Sequence, residues 1–197
     1  HFSKVPQPVE ESLKALIRQL KSDHVSKQKW LPENGLTYSE LAAEINNANP
    51  NIALFARLYA PENPPLRIGD YMNATTEYES DLNYIDTTKG VMLRRIKKNH
   101  GQPDTVPLSS DVINLLKDRT SGPIFSVNIT ELNRLIHKTF PDKTANPHYW
   151  RSRYSVDILP HKKNQAEILR WMDHSALTNA KYYHKADGGF LDLVINK

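Results

Sequence analysis

The chain has no cysteine among its 197 residues. That excludes a disulfide framework and any thiolate metal centre, and it fits a reducing compartment. No apolar run approaches the ~20 residues a membrane-spanning helix needs, and no signal-peptide pattern opens the chain. Internal repeats and low-complexity tracts are absent. Eight histidines are present, yet none forms His-Glu-x-x-His or a comparable ligand pattern, which argues against a metal hydrolase. The chain also starts at His1 without an initiator methionine, and it reads as a fragment of a longer protein.

What is there describes a globular domain. The length suits one domain with a real core, covering 1–197, with 185–197 as a C-terminal tail. At 39% apolar and 24% charged residues, the composition is that of a globular chain rather than a disordered one. A net charge of +4 permits a polyanionic partner without demanding one.

The pattern along the chain gives a helical front, a strand-rich middle and a helical back, an α+β class. Pro8, Glu10 and Glu11 precede Leu13, Leu16, Ile17 and Leu20 at helical spacing, with the anions near the positive end of the helix dipole. Lys21 to Pro32 is polar and reads as a loop. Ser39 is placed to cap a helix reaching about Asn46, and Asn51 to cap another carrying Ile52, Leu54, Phe55 and Leu58. Pro61 to Pro65 ends that helix and delivers Arg67 at the start of the next. Leu82–Asp86, Val91–Lys98 and Thr105–Leu108, separated by turn residues, predict a small antiparallel sheet. Ser109 then caps a helix with Val112, Ile113, Leu115 and Leu116. Asn128 with Glu131 has capping-box spacing ahead of Leu132, Leu135, Ile136 and Phe140. Asn146-Pro147 supplies a cap and a first-turn proline for a helix bearing His148 and Arg151. A further helix covers about Asn164 to Met172, and a last short one holds Tyr182 and Tyr183.

The chemistry concentrates in the back third. His148 and Arg151 are separated by one helical turn and share a face at a helix N-terminus, where backbone N–H groups already favour an anion. An arginine there suits two phosphate oxygens, and a histidine beside it suits proton transfer. The pair alone carries little information. It gains weight from Asp173-His174-Ser175 and Tyr183 downstream, and from Arg67 in Pro65-Leu66-Arg67-Ile68-Gly69-Asp70 upstream. Lys97-Lys98, ahead of Val106-Pro107-Leu108, completes a set of cations, imidazoles and a tyrosine.

That ordered constellation resembles the catalytic domain of tyrosine recombinases, the phage-integrase family, over roughly Pro32 to His184. Where the family usually carries Gly-Leu-Arg-x-x-Glu, this chain has Pro65-Leu66-Arg67 and Asp70. Where the family typically reads Leu-Gly-His-Ser, Asp173 replaces the glycine before His174. The resemblance implies a mostly helical catalytic domain with a small antiparallel sheet, shared with type IB topoisomerases, from which N-terminal DNA-binding domains are missing. It implies Tyr183 as nucleophile (with Tyr182 the alternative), His148 as base, and Arg67, Arg151 and His174 on the non-bridging oxygens. Asp70 would orient Arg67 one turn away. Lys98, or Lys97 behind it, would protonate the leaving 5′-oxygen. No cofactor or metal is expected.

The implied activity is site-specific DNA recombination or integration through a 3′-phosphotyrosine intermediate, independent of metal and ATP. The implied partner is double-stranded DNA, in a tetramer, within the cytoplasm or nucleus where the target DNA resides, a host cell if the element is viral. A type IB topoisomerase and a non-catalytic DNA-binding module of the same fold stay open as alternatives. Asp187-Gly188-Gly189 followed by Phe190, Leu191, Leu193, Val194 and Ile195 gives a flexible joint and an apolar tail, suited to docking in trans on a neighbour or to packing in cis.

Overall fold

A computed structural model of the chain describes residues 34–95, 103–117 and 121–174. Its described elements are seven α-helices and one four-stranded sheet. Helix α1 (Tyr38–Ala43) begins at Thr37, not at the expected Ser39. The Thr37 Oγ1 accepts from the Glu40 N–H while the Glu40 carboxylate accepts from the Thr37 N–H. Thr37-x-x-Glu40 is the capping-box spacing, and it outcompetes a serine already inside the first turn. A single 3-10 turn, Glu44–Asn46, follows.

Helix α2 (Pro50–Leu58) is capped by Asn49, whose side chain accepts from the Asn51 and Ile52 N–H groups, with Pro50 at the first helical position. Asn51, the expected cap, is instead buried and exchanges hydrogen bonds with Ser126. A proline has no N–H to lose at that first position, so Asn49-Pro50 is the stronger start signal. Helix α2 is buried around nearly its whole circumference through Ile52, Leu54, Phe55 and Leu58. Each such side chain contributes about 1.5–3 kcal/mol by leaving water.

Pro61 to Pro65 ends α2, as expected, and two buried tyrosines hold the loop that follows. The Tyr59 hydroxyl donates to the Leu66 carbonyl at 3.1 Å and the Tyr71 hydroxyl to the Pro64 carbonyl at 3.2 Å. Their rings meet edge-on, 5.9 Å apart. Helix α3 (Ile68–Met72) starts directly after Arg67, its N-cap residue.

The sheet has the order β1-β2-β3-β4, from β1 (Ala74–Thr75), β2 (Asn83–Asp86), β3 (Val91–Arg94) and β4 (Asp104–Pro107). The last three strands pair antiparallel as expected, whereas β1 adds a short parallel pair to β2. Two residues are too few to show the period-2 alternation by which a strand is read. Val91–Lys98 was expected to be one strand; among the described residues it ends at Arg94.

Helices α4 (Ser110–Lys117) and α5 (Ile129–Thr139) close over α2, with Asn128 accepting from the Glu131 N–H as the sequence implied. Helix α6 (Pro147–Asp157), a 3-10 turn (Leu159–His161) and α7 (Gln165–Trp171) complete the described chain. Trp150 of α6 is fully buried against Tyr38 and Tyr149, so α6 runs through the core although half its residues are polar. No described helix is long and apolar enough to cross a membrane.

Candidate active site

Asn146 caps α6 by accepting from the Tyr149 N–H at 2.9 Å, and Pro147 opens its first turn. His148 and Arg151 therefore leave the same face of the helix, one turn apart. Arg151 is 5% exposed. Its Nη1 donates to the Pro65 carbonyl at 2.5 Å and its Nη2 to the Met172 carbonyl at 2.7 Å. The guanidinium thus joins three segments distant in sequence: the loop before α3, α6 itself and the end of α7.

The end of α7 is a Schellman turn. The Asp173 N–H donates to the Arg170 carbonyl at 3.1 Å and the His174 N–H to the Leu169 carbonyl at 2.9 Å. This pairing requires a left-handed residue just past the helix, and Asp173 supplies it with φ of 52°. The turn aims His174 back at Arg151, whose Nη2 lies 2.9 Å from the imidazole Nε2. A guanidinium only donates, so Nε2 presents its lone pair and the neutral ring carries its proton on Nδ1.

The electrostatics agree. Burial, and after it the positive fields of Arg151, Arg67 and His148, push the His174 pKa down to about 3. His148 is also held below its ordinary value, by burial first and then by Arg151. Both imidazoles are neutral at pH 7.

Arg67 departs from expectation. Asp70 was to orient it, but Arg67 Nη1 donates to Asp173 Oδ2 at 2.5 Å, while Asp70 pairs with Arg94 at 3.2 Å. Asp70 is buried on the inner side of the short helix α3, and Arg94 reaches it from the sheet.

Sequence reasoning passed over Arg94. It is fully buried, and β-strand alternation puts it on the inward face with Met92. The strand register sets it opposite Asp104, which accepts from Nε at 3.0 Å and from Nη2 at 2.8 Å. Nη1 also donates to the Trp171 carbonyl at 2.7 Å, and the Asp173 carboxylate lies 3.3 Å from Nη2. Burial works against its charge, yet Asp104, Asp173 and Asp70 hold its pKa above the ordinary value. Burial raises the Asp70 pKa, with Arg94 only partly opposing it. The available signal was the inward phase of an arginine in a strand, since a buried cation requires carboxylate partners.

The structure therefore brings together Arg67, His148, Arg151 and His174. Lys98 and Lys97, Tyr183 and Tyr182, the N-terminal helix and the tail from Asp187 lie outside the described residues. The described site is a cluster in which Arg67 and Arg94 pair with three carboxylates (Asp70, Asp104, Asp173), beside Arg151, which is held by backbone carbonyls and His174, and the neutral imidazole of His148. Of the guanidinium groups, Arg67 retains 28% of its side-chain exposure and Arg94 none.

No protein-family model matches the chain, and no curated protein matches it by sequence. The arrangement of helices and small sheet is nonetheless similar to that of a solved recombinase. The particular likeness is to the crystal structure of XerA recombinase, with a TM-score of 0.56 at 15% sequence identity. The match covers 82% of this chain and 62% of that one.

Proposed function

We propose that this chain is the catalytic domain of a tyrosine recombinase, cleaving and rejoining DNA through a 3′-phosphotyrosine intermediate. The observation that carries this reading is the convergence on His174, past the end of α7, of Arg67 from the loop before α3 and of His148 and Arg151 from α6. Tyr183 attacks the scissile phosphorus, the bond from phosphorus to the 5′-oxygen breaks, and the DNA is left joined to the phenolic oxygen. His148 takes the phenolic proton, for which its lowered pKa supports the reading: the neutral ring a base requires is the form present at pH 7. Lys98 returns a proton to the departing 5′-oxygen. Arg67 and Arg151 neutralise charge on the non-bridging oxygens, and the backbone carbonyls on Arg151 preorganise it for that task. The solved structure it resembles is that of a recombinase, which supports strand exchange over relaxation of supercoils. The substrate in this reading is double-stranded DNA, exchanged within a tetramer.

The test is a suicide DNA substrate that releases a short 5′-hydroxyl strand and traps the covalent adduct. The full chain forms adduct in excess EDTA without nucleotide, and Tyr183→Phe abolishes adduct while retaining DNA binding. Adduct retained by Tyr183→Phe and lost in Tyr182→Phe moves the nucleophile by one residue. Relaxed circles without exchanged strands make the enzyme a topoisomerase. Binding without any adduct leaves a DNA-binding module.

A further inference from the structure

Asp173 combines two features that rarely coincide. It is the one non-glycine residue with positive φ among the described residues, a conformation that disfavours most side chains, though Asp less than others. Its carboxylate nevertheless lies inside the site, shared between two arginines: Oδ2 accepts from Arg67 Nη1 at 2.5 Å and from Arg94 Nη1 at 3.4 Å, and Oδ1 from Arg94 Nη2 at 3.3 Å. The two pairings differ in closeness. Arg94 is held most closely by Asp104 at 3.0 and 2.8 Å, by the Trp171 carbonyl at 2.7 Å and by Asp70 at 3.2 Å, and Asp173 adds to these from slightly farther away. The short contact is the one to Arg67, a long side chain at the mouth of the site.

We infer that Asp173 is the positioning residue for Arg67, its carboxylate steadied from behind by Arg94 so that the Arg67 guanidinium is fixed before substrate arrives. This rests on the recombinase reading given above. Among the described residues Asp173 takes only one Nη of Arg67, which leaves the rest of the fork to meet a phosphate. A guanidinium ordered in advance loses less rotamer freedom when the anion binds. Asp173 also connects two tasks: its backbone makes the Schellman turn that aims His174, and its side chain aims Arg67.

A positioning role separates from a general electrostatic one by its signature. Asp173 adds a negative charge beside the place of a phosphate, so charge alone predicts that removing it tightens DNA binding. Positioning predicts that removal slows cleavage. Asp173→Gly is the informative variant, because glycine adopts the left-handed conformation freely and preserves the turn that carries His174. Asp173→Asn keeps the conformation and an oxygen acceptor but no charge.

The experiment uses the full chain and measures single-turnover cleavage of the suicide substrate, DNA affinity by fluorescence anisotropy, and melting temperature. Asp173→Gly is expected to lower the cleavage rate by about 10- to 100-fold, with affinity equal to or tighter than the parent. Asp173→Asn falls between. In an Arg67→Ala background the Asp173→Gly change costs nothing further, the sign of a coupled pair. Asp173→Gly cleaving as fast as the parent, or slowing the Arg67→Ala enzyme by the same factor, overturns the inference. If the parent itself does not cleave DNA, the recombinase reading fails, and the pairing is read instead from the Arg67 Nε–H resonance. That signal is distinct in the parent and collapses to the free-arginine position in Asp173→Gly; a resonance unmoved by the substitution overturns the inference independently.

Discussion

Replacing Arg94 by methionine tests the buried charge network most sharply. Methionine is unbranched and apolar, so it keeps the stem of the side chain in place while removing the guanidinium, and the change falls chiefly on charge. In the parent, Arg94 is fully buried against Asp104, Asp70 and Asp173, whose side chains are 8%, 5% and 13% exposed. Removing one partner of a buried ion pair costs about 3–5 kcal/mol, because the remaining charge is left without compensation. The Trp171 carbonyl loses a donor as well, which adds about 1 kcal/mol. Against a total stability of about 5–15 kcal/mol, that threatens the fold itself. Urea unfolding at pH 7, followed by far-UV circular dichroism, should show the midpoint falling by about 1.3 M or more, given slopes of about 1–3 kcal/mol per molar. Arg134→Met is the control: that arginine pairs with Glu131 on the surface with 66% of its side chain exposed, and its loss should leave the midpoint essentially unchanged. The deficit of Arg94→Met should also shrink on acidification, since protonating the stranded carboxylates removes the buried charge. A loss below about 1 kcal/mol, or one independent of pH, would refute the reasoning that these carboxylates depend on Arg94.

Two further outcomes can be checked. Because the His174 pKa is about 3 in the folded chain against an ordinary 6.5, the unfolded state binds the proton more readily. The stability from His174 is complete above 6.5 and is lost as pH falls toward 3; thermal melts of the parent and His174→Gln across this window should show a shallower acid slope in the variant. Asp70, with a raised pKa, acts in the opposite sense as pH falls toward its ordinary 3.8, so the His174 effect is read by difference from the variant. Separately, if Lys98 is the general acid, Lys98→Ala is badly impaired on ordinary DNA and largely rescued by a 5′-phosphorothiolate, whose leaving sulfur needs no proton. Rescue of Lys97→Ala instead would transfer the role, and rescue of neither would remove both lysines from it.

Local signals were enough for much of the fold. Asn146-Pro147 and Asn128-x-x-Glu131 start helices by satisfying their own N–H groups, and the Pro61–Pro65 run stops one by withholding donors; each acts within a few residues. The same locality let His148 and Arg151 be assigned to one face of one helix. Where two start signals competed, at Thr37 and Ser39 or at Asn49 and Asn51, the reciprocal capping box and the first-turn proline prevailed. Tertiary structure decided the charge pairing. Asp70 lies one turn from Arg67 in sequence, and an exposed helix would have joined them. Burial turned Asp70 toward Arg94 instead, because a cation sealed inside the sheet must be met by carboxylates wherever the chain can bring them. That left Arg67 to Asp173, more than a hundred residues away, through a left-handed turn whose conformation is local but whose partner is not. Sequence spacing determines which groups share a helix face; which carboxylate meets which arginine is determined by what the packed core denies to water.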